Sequence, residues 1–221
     1  MTRNPCAIAS LAALFFIAGC SSEKSEIKPA EEKKTEAAKE AEPAKPAEKV
    51  IMVKLETSKG NVMVEVHPDW APIGAKQFLD LVNDKFFDGA RFFRVVPNFV
   101  VQFGIAADPA KHKKWNKAIK DDPVLRTNST GTIAFATSGP NTRTSQLFVN
   151  LRSNQMLDSQ GFAPFARVTE GMALIDGVWA GYGERPEQDK IERLGNKYLD
   201  AEFPKLDFVK KAVIVETAAG K

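Results

Sequence analysis

Arg94 and Gln102 are long polar side chains set into two apolar runs, Phe92-Phe93-Arg94-Val95-Val96 and Phe99-Val100-Val101-Gln102-Phe103, with Pro97-Asn98 between them. β-Branched and aromatic residues on both sides of a turn signal predict a β-hairpin. A guanidinium in such surroundings needs an acceptor or water. It also brings five N–H donors and a charge that no physiological pH removes.

Loop length decides whether Arg94 and Gln102 meet. A two-residue loop at Pro97-Asn98 sets Arg94 opposite Val101. A three-residue loop ending at Phe99 sets Val96 opposite Val100 and Arg94 opposite Gln102. The second register is preferred, because it gives the guanidinium a polar neighbour on an apolar face. The plainer alternative is a surface arginine whose stem lies across an edge strand.

Other chemistry is scarce. His67 and His112 are the only histidines, and His67 closes a strand-like run just before Pro68, a place for a structural or surface histidine rather than a triad base. No nucleophile elbow, phosphate-cradling glycine loop or His/Asp metal spacing stands out. The sequence therefore predicts no covalent nucleophile, no metal and no cofactor. Lys+Arg 31 against Asp+Glu 28 gives a net charge of +3, without the segregated excess of a nucleic-acid binder. The run from Lys111 to Lys120 is basic and holds Trp115, which could suggest a nucleic-acid or anionic-lipid patch. Asp121 and Asp122 follow at once, so a solvated helix or loop face is predicted and no nucleic-acid partner is expected.

The elements that must hold Arg94 can be read in order. Val50 to Thr57 and Asn61 to Val66 are strand-like and joined by the turn signal Ser58-Lys59-Gly60. Ala75, Phe78, Leu79 and Val82 make one stripe of a helix that starts near Asp69 to Pro72. Gly131 to Ala136, Gln146 to Asn150 and Phe165 to Val168 read as short strands. Thr169 is placed to cap a helix that turns Met172, Ile175 and Val178 inward. Residues 182–207 are charged and broken by proline and glycine, with helical character between Glu187 and Tyr198. Phe208 to Glu216 closes the chain as a strand, and Thr217 to Lys221 should fray. Two helices among many short strands suggest a β-barrel or sandwich with helical covers.

The N-terminal segments are of another kind. Residues 1–19 hold one basic residue, Arg3, then an apolar run from Ala7 to Ala18, the form of a secretory signal and too short for a bilayer span. Residues 20–49 are almost all Glu, Lys, Ala, Pro, Ser and Thr, which cannot bury enough surface to offset ordering entropy. They read as a disordered tether or a partly helical spacer, reaching on the order of 30 Å as a coil and up to about 90 Å if extended. Residues 50–221 are long enough for one domain with a core. Once 1–19 is removed, Cys20 is the only cysteine, so no disulfide pair remains.

Two stretches carry a family resemblance. Phe93 to Gln102 is similar to the F-x-R-x-x-P-x-F-x-x-Q pattern, with Phe92 and Phe93 matched so that Arg94 is the patterned arginine. Gly139-Pro140-Asn141-Thr142, followed by Ser145-Gln146-Leu147-Phe148, is similar to G-P-N-T-x-x-S-Q-F-F. Both belong to the cyclophilins, and Val50 to Glu216 resembles that family throughout. The resemblance implies a mainly β fold, a closed eight-stranded antiparallel β-barrel with two capping α-helices, and peptidyl-prolyl cis-trans isomerase activity. It implies that Arg94 and Gln102 are catalytic, that Phe99, Val100, Phe148 and Leu157 form a proline pocket, and that Ala136 and Thr137 form its rim. Gln146 lines the adjoining groove, and Met156 and Phe162 complete the implied substrate-binding set. Val100 and Leu147 depart from the family's usual methionine and aromatic. Met156 stands where many eukaryotic members have a tryptophan that helps hold cyclosporin, so tight binding of that drug is not expected. One extra residue near Phe162 leaves the family's histidine there without a counterpart. Residues 184–204 form an insertion longer than in compact members.

The resemblance also implies partners and place. Proline-containing polypeptides are the expected partners, bound by a monomer, and catalysis without proton transfer predicts a flat rate between about pH 6 and 9. A binding module or tethered holdase that uses the groove with little turnover is the alternative. Ile17-Ala18-Gly19-Cys20 resembles the bacterial lipobox, which implies lipid on Cys20 and a membrane-anchored protein of the cell envelope acting on exported clients. Ser21 after the cysteine favours the outer membrane, facing the periplasm, where the envelope has one.

Overall fold

The computed structural model describes residues 50–215. The signal segment 1–19, Cys20, the tether to residue 49, the last residue of the expected closing strand, Glu216, and the tail from residue 217 lie outside the described residues. The chain runs through β1 (Ile51–Thr57), β2 (Asn61–Val66), α1 (Pro72–Asn83), β3 (Arg94–Val96), β4 (Val100–Phe103) and α2 (Pro109–Trp115). It continues through β5 (Thr132–Phe135), β6 (Leu147–Asn150), a 3-10 helix (Gln155–Gln160), β7 (Pro164–Glu170) and α3 (Met172–Asp176). α4 (Gln188–Leu194), α5 (Asn196–Glu202) and β8 (Val209–Val215) complete it.

All eight strands join one antiparallel sheet, in the order β3-β4-β6-β5-β7-β2-β1-β8, curled as a half-barrel. Among the described residues no continuous ladder closes β3 on β8. Instead the segments leading into them meet at a single bridge, Arg91 with Phe208, supported by Phe92 N donating to Asp207 O at 2.9 Å and Gly89 N to Val209 O at 2.8 Å. Beyond that point Val95 N donates to Gly183 O at 3.2 Å, so the loop before α4 occupies part of the outer edge of β3. Five α-helices stand among the described residues where two were expected, and only α1, with 12 residues, is long.

The core follows the strand period of two. Val53 and Leu55 of β1 and Val62, Val64 and Val66 of β2 point inward and are fully or almost fully buried. They meet Phe78, Phe86, Phe87, Phe103, Phe135 and Phe165 in one apolar cluster. α1 buries Gly74, Ala75, Phe78, Leu81 and Val82, while Leu79 is only partly buried, so the buried stripe is centred a little away from the one read in the sequence. Pro72 opens α1 without a side-chain cap of its own. Asp122 supplies one from afar, accepting from Ile73 N at 2.9 Å and Gly74 N at 2.8 Å, and Arg143 pairs with it at 3.0 Å. This satisfies donors that a helix start leaves open.

Thr169 does not cap α3. β7 runs on through Glu170, where it still pairs with Met63 of β2, and Gly171 takes the cap position at φ 84°. Strand pairing with β2 keeps Thr169 extended. The basic run is also accounted for. α2 packs beside the end of α1, where Lys114 Nζ and Trp115 Nε1 both donate to Asp84, at 2.8 and 2.6 Å, and hold its carboxyl below the usual carboxylate range.

Candidate active site

The hairpin takes the three-residue register. Arg94 pairs with Gln102, Val95 with Val101 and Val96 with Val100, and Asn98 enters the left-handed region at φ 59°, which asparagine tolerates better than most residues. Because strand side chains alternate, β4 sends Val101 and Phe103 into the main core and leaves Val100 and Gln102 on the opposite face. β6 lies against β4 and sets Phe148 opposite Gln102. An apolar floor of Val100, Ala134, Phe148 and Leu157 results, with Phe99, Ala136 and Phe162 packed on it.

Above this floor opens a cavity of about 420 Å³. Arg94, Gln102, Phe99, Val100, Ala136, Thr137, Gln146, Phe148, Leu157 and Phe162 all line it, so ten of the substrate and catalytic residues read from sequence converge there. Met156 does not line it; that residue is half exposed, and its carbonyl accepts from Ser159 Oγ and Gln160 Nε2. Ser138, Thr142, Thr144, Gln160 and Gln188 also line the cavity, and sequence reading did not single them out as site residues.

Polar groups form one line along the cavity. Arg94 Nη1 donates to Gln102 Oε1 at 3.2 Å, and Gln102 Nε2 donates to Gln146 Oε1 at 2.8 Å. Arg94 Nε donates to Glu184 Oε1 at 2.6 Å. Among the described residues nothing accepts from Arg94 Nη2, so that edge of the guanidinium remains available to a ligand. The Arg94 side chain is 26% exposed, which leaves its charge in contact with solvent and avoids most of the desolvation cost of a buried cation.

The walls depend on asparagines that sequence reading missed. Asn128, Asn150 and Asn154 are fully buried. Asn150 Nδ2 donates to Asn128 Oδ1 at 3.1 Å, and Asn154 Nδ2 donates to Asn150 Oδ1 at 2.8 Å. From this hub Asn154 also reaches the Phe99 carbonyl at 3.0 Å and Asn128 the Phe162 carbonyl at 2.8 Å. Leu157 N donates to Asn154 O at 2.9 Å. Connected buried networks of this kind favour one arrangement, and here it is the arrangement of Phe99, Leu157 and Phe162 around the floor; within it the Asn154 Oδ1 is left without a partner among the described residues. Only Asn150 and Asn154, four residues apart, gave a local hint; their shared partner lies more than 20 residues earlier.

On the rim, Thr137 Oγ1 bonds to the Gly139 carbonyl and lies 2.9 Å from Thr142 Oγ1. Asn141 fixes the loop to Asp121, accepting from Asp121 N at 3.0 Å and donating its own N–H to Asp121 Oδ2 at 2.7 Å. Among the described residues no group of three or more His, Cys, Asp and Glu side chains could hold a metal ion.

An apolar pocket on one sheet face is thus edged by an arginine and two glutamines. Residues 52–196 match the family model described as cyclophilin type peptidyl-prolyl cis-trans isomerase/CLD. A peptidyl-prolyl cis-trans isomerase of Acinetobacter baylyi is 37% identical over 133 residues, covering 58% of this chain and 71% of that protein. Among solved structures, cyclophilin AquaCyp293 from Hirschia baltica shares the fold at a TM-score of 0.60 and 19% identity, over 76% of this chain and 75% of that one. A Cryptosporidium parvum cyclophilin type isomerase, crystallised in the presence of the dipeptide Ala-Pro, does so at 0.55 and 20%, over 75% and 99%. The chain belongs to the cyclophilin-type peptidyl-prolyl cis-trans isomerases.

Proposed function

We propose that the cavity holds the proline of an Xaa-Pro bond on the Val100, Phe148 and Leu157 floor while Arg94 donates to the prolyl nitrogen. The observation that carries this reading is the free Nη2 edge of Arg94, fixed beside an apolar pocket by bonds to Gln102 and Glu184. Rotation about an amide faces a barrier of about 18–20 kcal/mol because resonance stiffens the C–N bond. Twisting returns the lone pair to nitrogen, so a donor there favours the twisted state over both planar ones. One charge-assisted hydrogen bond contributes about 1.5–3 kcal/mol, or roughly ten- to a hundredfold in rate. Differential binding must supply the rest: the floor fixes the ring, and Gln102 and the Ala136–Thr137 rim hold the carbonyl side. The family's closed barrel is the corresponding fold reading, and the Arg91–Phe208 bridge between the segments leading into β3 and β8 supports it.

We also infer that the protein is a lipoprotein of the cell envelope. The lipobox-like Ile17-Ala18-Gly19-Cys20, followed by the Glu/Lys/Ala/Pro tether, supports a lipid on Cys20 and a domain from residue 50 that works on exported polypeptides away from the membrane. No helix among the described residues is long and apolar enough to cross a membrane. Fatty-acid labelling that persists in Cys20→Ala would refute it.

Exchange spectroscopy on an Xaa-Pro peptide tests the catalytic reading. The parent should accelerate cis-trans exchange, and Arg94→Ala should lose most of that acceleration while still binding the peptide. Undiminished exchange in Arg94→Ala would remove Arg94 from the mechanism. Binding without acceleration by the parent would favour a proline-peptide binding module or holdase.

A further inference from the structure

Residues 184–204 reach the groove at two points. α4 and α5 bury Ile191, Tyr198 and Leu199 in a small apolar cluster of their own, against Phe93 and Ile105. Phe93 immediately precedes Arg94, and Ile105 lies just beyond β4. The segment is therefore seated on both ends of the hairpin that carries Arg94 and Gln102. Its hinge is specific: Gly195 has φ +60°, and a Cβ there would lie 2.2 Å from the Ala107 carbonyl oxygen. Asn196 N donates to that same carbonyl at 3.0 Å, and Asn196 Nδ2 to the Gly89 carbonyl at 3.0 Å.

From this seat the segment holds both ends of the polar line. At one end Glu184 Oε1 accepts from Arg94 Nε at 2.6 Å. At the other Glu192 Oε1 accepts from Gln146 Nε2 at 3.5 Å, and lies 3.5 Å from Nε2 of the buried His112. A guanidinium bound through both Nε and Nη1 cannot swing without breaking both bonds, so Glu184 and Gln102 together hold it in one orientation at the cavity edge. Ordering a long side chain before the substrate arrives lowers the entropy that must be lost during reaction.

We propose that Glu184 is a positioning residue for the isomerisation, fixing Arg94 in its productive orientation, and that Glu192 supports the far end of the same line through Gln146. The proposal rests on Arg94 being the donor to the prolyl nitrogen. Because the Glu184 side chain is 62% exposed, its effect is moderate and sensitive to salt.

The test is kcat and KM from exchange kinetics over a range of peptide concentrations, in the parent and in Glu184→Ala, Glu184→Gln, Arg94→Ala and the combined variants. Glu184→Ala should lower kcat by about three- to fivefold with KM unchanged, the scale of an exposed ion pair. Glu184→Gln, which keeps an acceptor oxygen, should recover much of the loss. Rising salt should bring the parent towards Glu184→Ala while leaving that variant flat. Adding Glu192→Ala should cost roughly a further twofold. In the Arg94→Ala background, Glu184→Ala should change nothing more, as coupled residues do in a double-mutant cycle. An unchanged kcat in the Glu184→Ala/Glu192→Ala protein, with Arg94→Ala inactive, overturns the proposal, and so does a change confined to KM. Full activity in Arg94→Ala overturns the underlying catalytic reading instead.

Discussion

The two faces of β4 and β6 carry similar side chains and end in different places. Val101, Phe103, Leu147 and Val149 point into a sealed core with Phe78, Phe87 and Phe165. Val100 and Phe148, their immediate neighbours in sequence, lie just as deep but form the floor of an open cavity. Hydrophobic content does not separate core from site here. What separates them is the cover: packed phenylalanines on one face, and on the other a 3-10 helix, a rim loop and the polar edge of Arg94, Gln102 and Gln146.

That contrast can be broken most strongly from the core side. Phe87 is fully buried among Phe78, Phe86 and Phe103, so Phe87→Ala should cost about 3–5 kcal/mol in a urea titration, while the protein that remains folded keeps its exchange rate. Next comes Arg94→Ala, with roughly a ten- to hundredfold loss of rate and an unchanged unfolding midpoint. If Arg94→Ala destabilised the fold as much as Phe87→Ala, the division between the faces would be false. Phe162 is only partly buried and stands edge-on to Phe148 at 5.5 Å. Its truncation should act mainly on KM, by a few fold to about tenfold, the scale of lost apolar contact in a pocket.

The mildest expected effect is on pH dependence, and it too should divide core from groove. His67 stacks on Trp70 at 3.8 Å, and both His67 and His112 are buried. Burial lowers the pKa of each, and Glu65 and Glu192 offset that only in part. The unfolded chain, with imidazoles near 6.5, therefore takes up protons that the native protein resists. Stability should be fully present above about pH 6.5 and decline as pH falls below it, towards the depressed native values. Melting temperature measured from pH 8 to 5 should show this decline, and replacing both histidines by asparagine should flatten it. Catalysis by the folded protein should stay level between about pH 6 and 9, since no proton is transferred; a bell-shaped rate in that range would contradict the Arg94 mechanism.

Much of the site was legible because its clues are local. Arg94 and Gln102 were paired from the sequence by asking which loop length puts two polar groups together on an apolar face, and the structure has that register. Leu157 and Phe162 came with the family resemblance and fall in the cavity, whereas Met156 stands outside its lining. The asparagine hub was not legible, since Asn128 and Asn154 mean nothing alone and become a support only when β6 and the 3-10 helix bring them together. Thr169 looked like a cap by type and position. It sits at the bulge between the Val168–Val64 and Glu170–Met63 pairs, facing a strand over 100 residues earlier, and pairing across that distance outweighed the local preference.

The sequence by itself determined what period-two alternation and turn chemistry can encode: the hairpin, its register, the inward valines of β1 and β2, and two motif stretches specific enough to indicate the family. Only the tertiary structure decided how the sheet edges meet at Arg91 and Phe208, and that residues 184–204 return to bind Arg94 through Glu184. The physical reason is that local patterns report which face of an element is apolar. Which distant surface will cover that face depends on packing among elements far apart in the chain, and that is settled only when they meet.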